Sequence, residues 1–374
     1  MGKIKVLFLI TNLGHGGAER VLTNLVNHMD QEKFDITVQT LFDVGIYQDK
    51  LREGIRYIGG HKRYYRGNTV VMKLFSPKRL FKHYVKEDYD VIVSYLEGPP
   101  SRVASGCTNK KTKLISWIHS NQKTIGQVSK VFRNRKEAVN CYKKFDKIVC
   151  VSQTIKEDFD KALNINVPIE VVYNVVESEK IIACSTEKVE DVAFDKEKIN
   201  IISVAKLMKV KGYDRLVNAT KRLIEEGFPL HVYIVGKGEE RASLERQISH
   251  LNLTNNWTFV GFNTNPYKYV READLYVCSS YSEGFSTAVT ESLIVGTPVV
   301  STNCSGAYEL LGYNNEYGIV TENSEDGIYS GIKQMLEGDK LSFYKQKAIE
   351  RGKEFNAEKT TEIAEKTIQG VLEQ

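Results

Sequence analysis

The sequence predicts an α/β protein of two Rossmann-like domains in tandem, each a parallel sheet covered by helices. Three features point there. Short apolar runs alternate with amphipathic helical stretches, the first run ends in a glycine-rich turn, and the alternation stops at a charge-rich segment and resumes beyond it. Strands that alternate with helices pair in parallel and bury both faces, so they read as apolar runs. A length of 374 residues suits two ordinary domains.

Residues 3–10 form a short apolar run with the character of a buried strand, followed by a turn containing Gly14, Gly16 and Gly17. Val21, Leu22, Leu25, Val26 and Met29 then recur at helical spacing. Strands are predicted at 34–41, 89–94, 113–118 and 147–151, with helical stretches between some of them. Residues 177–198 are charge-rich and poor in β-branched runs, and are expected to connect a first domain, 1–176, to a second, 199–356. The second series has strands at 199–204, 231–235, 257–260, 275–278 and 298–301. Residues 357–373 read as a helix with Ile363, Ala364, Ile368, Val371 and Leu372 as its apolar positions. Open α/β sheets bind ligands at the carboxyl ends of their strands, so two such domains facing each other would enclose a central cleft.

Composition narrows the class. The chain carries 52 Lys+Arg against 47 Asp+Glu, a net charge of +5. That balance conceals a split: residues 1–150 hold 27 basic and 13 acidic residues (+14), and residues 151–374 hold 25 and 34 (−9). The halves are built for different surroundings. A hydrophobic content of 41% without low-complexity tracts excludes disordered and fibrous classes. The run Val6 to Ile10 is far shorter than the ~20 residues that span a bilayer, and no small-residue cleavage site follows it. Cys107, Cys141, Cys150, Cys184, Cys278 and Cys304 are scattered and form no C-x-x-C pair, which suits buried thiols in a reducing cytoplasm.

Chemistry concentrates in residues 279–309. Ser282-Glu283-Gly284-Phe285-Ser286 follows a predicted strand and enters a predicted helix at 286–294, with Glu291 inside it. A glycine-containing turn that opens a helix leaves backbone N–H groups free for an anion. On spacing alone, Glu283 and Glu291 read equally well as solvated carboxylates. Lys206 and Lys211 lie five apart in the loop that opens the second series, and composition alone makes them solvated too. Neither Gly14–Glu19 nor Gly236–Arg241 supplies the third glycine of a dinucleotide fingerprint, which argues against NAD.

Taken together these segments resemble family 4 glycosyltransferases, retaining nucleotide-sugar-dependent enzymes of the GT-B fold. The resemblance is carried by Glu283-Gly284-Phe285-Ser286, Glu291-Ser292-Leu293 and Gly296-Thr297-Pro298-Val299-Val300. It extends to Gly16-Gly17-Ala18-Glu19, Val171 to Val176 with Asn174, Ala205 to Gly212, Val235-Gly236-Lys237-Gly238 and Cys304 to Glu309, in the same order along nearly the whole chain. Lys206 stands where the family usually has arginine, so the charge is kept and the bidentate fork is lost.

The resemblance implies roles. Lys206 and Lys211 would stabilise the diphosphate leaving group. Glu283 would bind sugar hydroxyls and orient the ring, Glu291 would bind the ribose hydroxyls, and Gly284, Phe285 and Ser286 would offer backbone to the phosphate. Gly16 and Gly17 would let the first domain's backbone approach the phosphate from the other side. Asn174 and Gly236 join the substrate-binding set, and His119 is placed at the active centre. Attack would be front-side, with the departing phosphate oxygen taking the acceptor proton. The two lysines and helix N-termini would do the work of a divalent cation, so neither a metal nor another cofactor is expected. The C-terminal helix would cross back onto the first domain, with packing on the second as the other possibility.

Between Arg56 and Lys86 lie nine Lys and Arg residues and no acidic one, interleaved with Tyr57, Tyr64, Tyr65, Val70, Val71, Leu74 and Phe75 among others. A second basic stretch runs from Lys123 to Lys147. Cations mixed with aromatic residues suit an anionic membrane surface. Nucleic acid is the other reading, but no recognition fold accompanies the stretch. The expected enzyme is cytoplasmic and peripheral on the inner membrane face, moving a sugar from a UDP-sugar, more than a GDP-sugar, to a lipid-linked or polysaccharide acceptor. Its rivals are a UDP-sugar 2-epimerase of the same fold and a catalytically silent scaffold.

Overall fold

The structure is a computed structural model that describes residues 2–14, 16–63 and 67–373. The chain divides into two compact units, residues 1–176 with 357–374, and residues 177–356.

Among the described residues the first unit holds seven parallel strands: β1 (Ile4–Ile10), β2 (Phe34–Thr40), β3 (Arg56–Ile58), β4 (Val91–Ser94), β5 (Lys113–Ile118), β6 (Lys147–Cys150) and β7 (Ile169–Val171). Their spatial order is β3-β2-β1-β4-β5-β6-β7. β1 is buried from Val6 to Ile10 because helices cover both faces of the sheet. The amphipathic helix Gly17–His28 lays Val21, Leu22, Leu25 and Val26 against it. The C-terminal helix Ala357–Gly370 packs on that helix. Its Ala364 and Ile368 are fully buried, and Glu365 Oε1 accepts the Asp30 amide at 2.6 Å.

The second unit holds β8 (Ile199–Val204), β9 (Leu230–Val235), β10 (Trp257–Gly261), β11 (Leu275–Cys278), β12 (Val299–Thr302) and β13 (Ile319–Thr321), in the order β10-β9-β8-β11-β12-β13, all parallel. Its core gathers Ile201, Leu216, Val232, Ile234, Val277 and Ile332. Each sheet reverses its strand order beside its first strand, between β1 and β4 and between β8 and β11. Such switch points open a crevice at the carboxyl ends, where ligands bind.

Two details depart from the sequence reading. Residues 177–198 are not a bare connection, because Ser178–Ser185 is a helix that packs on helices Tyr267–Glu272 and Thr287–Ile294. Its Ile181 is buried, and Asn265 Nδ2 donates to Cys184 O at 2.8 Å. The other is β7, a three-residue strand at Ile169–Val171 that lies outside the strands expected for the first domain.

Candidate active site

In the second unit the loops after β8 and β11 flank the switch point, and they carry the residues that meet. Lys211 Nζ lies 2.7 Å from Glu283 Oε1, and Ser280 Oγ donates to the same oxygen at 2.5 Å. Both partners are largely enclosed, at 23% and 13% side-chain exposure, so the pair is screened less than a surface pair. Burial works against the Lys211 charge, but the charge and hydrogen bond of Glu283 more than offset it and the lysine pKa is raised. The backbone under Lys211 is pinned as well. Ser279 Oγ donates to Lys211 O at 2.9 Å, and the buried Arg215 donates to Ser279 O at 2.6 Å while lying over the Tyr281 ring. A Cβ on Gly212, at φ +63°, would stand 2.1 Å from Ser279 O, so only glycine fits there.

Lys206 is exposed on the same loop. The conformation that presents it rests on Gly236, whose Cβ would stand 1.9 Å from Ala205 O, and on the Leu207 amide, which donates to Lys237 O at 3.1 Å. Gly236 is thus needed for packing of loop on loop. Ser286 is the N-cap of helix Thr287–Ile294, its Oγ accepting the Val289 amide at 3.4 Å. Phe285 is 9% exposed and lies over Gly306. Glu291, the fifth residue of the helix, is only 5% exposed, so it is no solvated surface carboxylate. The buried Cys278 thiol lies 3.7 Å from Ser280 Oγ, the hydroxyl that donates to Glu283.

In the first unit the corresponding loops follow β1, β4 and β5. His119 directly follows β5, with its ring 4.7 Å from that of Tyr95. Burial lowers its pKa to about 3, and Nε2 is inaccessible and without a partner among the described residues. Its backbone amide donates to Glu97 Oε2 at 2.8 Å, and Ser120 Oγ donates to Glu97 Oε1. Glu97 is absent from the sequence expectations. The available signal was a lone glutamate immediately beyond an apolar run, before Gly98-Pro99-Pro100.

Gly16 caps the helix Gly17–His28, but the space over it is taken: a Cβ there would meet Glu19 Oε2 at 1.9 Å. That carboxylate belongs to the helix's own first turn, where an anion is favoured. Asn174 lies beyond β7, with Oδ1 buried and unpartnered among the described residues.

Farther along, helices Asn68–Lys73 and Pro77–Tyr84 help to line a cavity of about 670 Å³. Its wall combines Phe42, Met72, Phe75 and Leu80 with Lys62, Arg63, Arg79, His61 and His83, and no carboxylate lines it among the described residues. Val70, Val71 and Leu74 are exposed at 65%, 55% and 75%. Not every charge of the basic stretches faces solvent unpaired. Arg56 pairs with Glu87 at 2.6 Å, and Arg133 donates to the carbonyls of Lys73 and Leu74, closing the helix end. Tyr64, Tyr65 and Arg66 lie outside the described residues.

Residues 15–180 match the family described as Glycosyltransferase Family 4, and residues 185–355 match Glycosyl transferases group 1. A Campylobacter jejuni protein named N-acetylgalactosamine-N,N'-diacetylbacillosaminyl-diphospho-undecaprenol 4-alpha-N-acetylgalactosaminyltransferase is 31% identical, over 98% of this chain and 100% of its own. The lipopolysaccharide core biosynthesis glycosyltransferase LpsE of Rhizobium meliloti is 25% identical, over 91% and 90%. The Anabaena protein HepE, solved in complex with UDP, superposes with a TM-score of 0.75 at 19% identity, over 98% of this chain and all of that one.

Proposed function

The chain belongs to the family 4 glycosyltransferases, and on that premise we propose that it is a retaining enzyme moving a sugar from a UDP-sugar to a lipid-linked acceptor in surface-glycan synthesis. The observation that carries the donor half is the Lys211–Glu283–Ser280 cluster at the second switch point, with Lys206 exposed on the same loop. When the glycosidic bond to the diphosphate breaks, negative charge grows on the leaving oxygens. Preorganised cations held in a partly enclosed site stabilise that charge without reorganising. Lys211 is held by Glu283 until the donor arrives. Lys206 is placed to meet the diphosphate directly. Glu283, fixed by Lys211 and Ser280, keeps its second oxygen for sugar hydroxyls, and Glu291 serves the ribose. His119, neutral because it is buried, donates or accepts a hydrogen bond at the sugar and carries no charge. The acceptor hydroxyl attacks from the face that the diphosphate leaves, and a phosphate oxygen takes its proton. In this scheme Lys206, Lys211 and backbone N–H groups take the place of a divalent metal.

The acceptor half rests on the cavity of the first unit, where apolar walls and cationic side chains suit a diphosphate attached to a lipid. The exposed Val70, Val71 and Leu74 beside Lys73 suit shallow contact with an anionic bilayer on the cytoplasmic face. No described helix is long and apolar enough to cross a membrane. The Campylobacter relative, whose name describes a diphospho-undecaprenol acceptor and an α linkage, supports the acceptor class and the retained configuration. A thermal-shift series with UDP, GDP, UMP and UDP-sugars tests the donor, since a ligand of the folded state raises its melting temperature. UDP and one UDP-sugar should raise it most. A larger rise with GDP would overturn the assignment of the base.

A further inference from the structure

We infer that Glu97 is the positioning residue for His119, clamping with its carboxylate the turn on which the imidazole stands. The inference rests on the reading of His119 as an active-centre residue. β4 and β5 are neighbours, so the residues just past their carboxyl ends, 22 apart in sequence, meet at one edge of the sheet. Glu97 Oε2 accepts the His119 amide at 2.8 Å, and Oε1 accepts the Ser120 hydroxyl, which Gln122 Nε2 also approaches at 2.9 Å. An ionised carboxylate is acceptor-only, so it matches a turn that offers nothing but donors.

The mount behind the carboxylate is rigid. Leu96 O accepts the hydroxyls of Ser94 at 2.9 Å and Ser101 at 3.1 Å, and Ser101 Oγ lies 3.2 Å from Ser116 Oγ, all three serines being fully buried. Gly98 follows at φ +94°, a turn only glycine makes easily, and Pro99 starts the next helix. A carboxylate on so fixed a base is poised to hold the turn that it grips. His119 cannot be reoriented by protonation in the working range, so its direction is set by its backbone.

Glu97 makes no ion pair among the described residues. The titratable groups around it are His119, Tyr142 on helix Arg135–Tyr142, and Cys150 at the end of β6, with the Tyr95 ring tilted against that of His119. Burial holds His119, Tyr95, Tyr142 and Cys150 in their neutral forms. Burial also raises the Glu97 pKa, its hydrogen bonds offsetting only part of the effect. Protonation would turn an O–H toward one of the donors and loosen the clamp. Turnover therefore falls as pH drops through the raised Glu97 pKa.

The test compares wild type with Glu97→Gln and Ser120→Ala in three measurements: transfer kinetics across pH, melting temperature, and hydrogen exchange of the His119 and Ser120 amides. Glutamine keeps the size but turns an N–H₂ toward one donor. The expected result for Glu97→Gln is kcat lower by about 30-fold or more, which is about 2 kcal/mol. Donor KM should stay within about threefold, the acid limb should vanish, exchange at His119 should quicken, and melting should not fall. Ser120→Ala, which removes one donor, should give a smaller loss in the same direction. A wild-type kcat and acid limb in Glu97→Gln would overturn the inference, as would unchanged exchange at His119. Should wild type transfer no sugar from any UDP-sugar, the donor reading falls, while the exchange measurement still decides the clamp.

Discussion

In both units the strand order reverses beside the first strand, and in both a glutamate follows the strand across that reversal: Glu97 after β4, Glu283 after β11. The same residue type in the same topological place meets opposite treatment. Glu283 takes a lysine at 2.7 Å and a serine hydroxyl at 2.5 Å. Glu97 takes only neutral donors, two from His119 and Ser120 at the next strand end. The surroundings invert the regional charge. The acidic half of the sequence keeps a lysine at its site, and the basic half hides a carboxylate without a cation. What a carboxyl group does is set by its immediate neighbours through burial, charge and hydrogen bonds, and the net charge of its domain says little about it.

The strongest way to break this contrast is to remove the charge that distinguishes Glu283. Glu283→Gln should lower kcat by roughly 10²–10³, the usual consequence of losing one preorganised electrostatic group. Its melting temperature should fall as well, because Lys211 keeps its charge and loses its counter-ion, a loss of about 1–3 kcal/mol. The Glu283→Gln/Lys211→Met double variant should recover part of that stability but none of the activity. Coupling of about 0.5–3 kcal/mol in the melting cycle is expected for residues in contact, and strictly additive effects would show that the pair is not a unit. A Glu97→Gln variant that lost stability as Glu283→Gln does would erase the distinction between the two glutamates.

Lys206 isolates the charge from the pair. It is exposed and makes no side-chain hydrogen bond or ion pair among the described residues, so Lys206→Ala should leave the melting temperature unchanged. A charge-assisted hydrogen bond of roughly 1.5–3 kcal/mol corresponds to a loss of about 10- to 100-fold in kcat/KM. Lys206→Arg should keep or improve the wild-type value, since the guanidinium forks onto a diphosphate. Full activity in Lys206→Ala would move the diphosphate to Lys211 and the helix N-terminus alone.

How much of this was legible differs between the two sites for a physical reason. Lys206, Lys211 and Glu283 stand in short loops whose glycines and neighbouring residues form motifs, so sequence reasoning singles them out, although the meeting of Lys211 with Glu283 depends on β8 lying beside β11. Glu97 and His119 are linked only because β4 and β5 are adjacent, and no spacing reveals a bond between strand ends 22 residues apart. Arg215 was missed likewise, because its partners Ser279 and Asn323 are far along the chain. The central strands were legible as apolar runs, but edge strands β3 and β13 have three residues each, too few for any period, and their neighbours define them. Helix Ser178–Ser185 was hidden by charge, its packing resting largely on Ile181. The Glu19 carboxylate beside Gly16 comes from the turn's folding back on itself, which the glycine pattern does not announce.

The exposed apolar edge of the basic unit offers a smaller effect. Leu74 is 75% exposed on the helix bearing Lys73, and an apolar side chain of its size contributes about 1.5–3 kcal/mol when fully buried. Leu74→Glu should weaken binding to vesicles containing anionic lipid by about tenfold, with melting and UDP binding unchanged. Equal binding by the variant would remove this helix from the membrane reading.

The smallest effect sets the two members of the Glu97–His119 pair against each other. His119 has a folded pKa of about 3 against an ordinary 6.5, so below pH 6.5 the unfolded chain binds a proton that the folded chain refuses. Its contribution is complete above pH 6.5 and is lost as pH falls toward 3, by at most about 1.4 kcal/mol per unit. Glu97 is a carboxyl with a raised folded pKa, so its ionised form is a burden above that pKa, relieved as pH falls through it. The melting difference between His119→Gln and wild type should therefore grow more positive as pH drops below 6.5. The difference between Glu97→Gln and wild type should instead shrink over the acid range. Opposite slopes are required because one group is a base held neutral and the other an acid held charged by donors. Parallel slopes would mean that the two side chains do not titrate as a buried pair, and that Glu97 is as well compensated as Glu283.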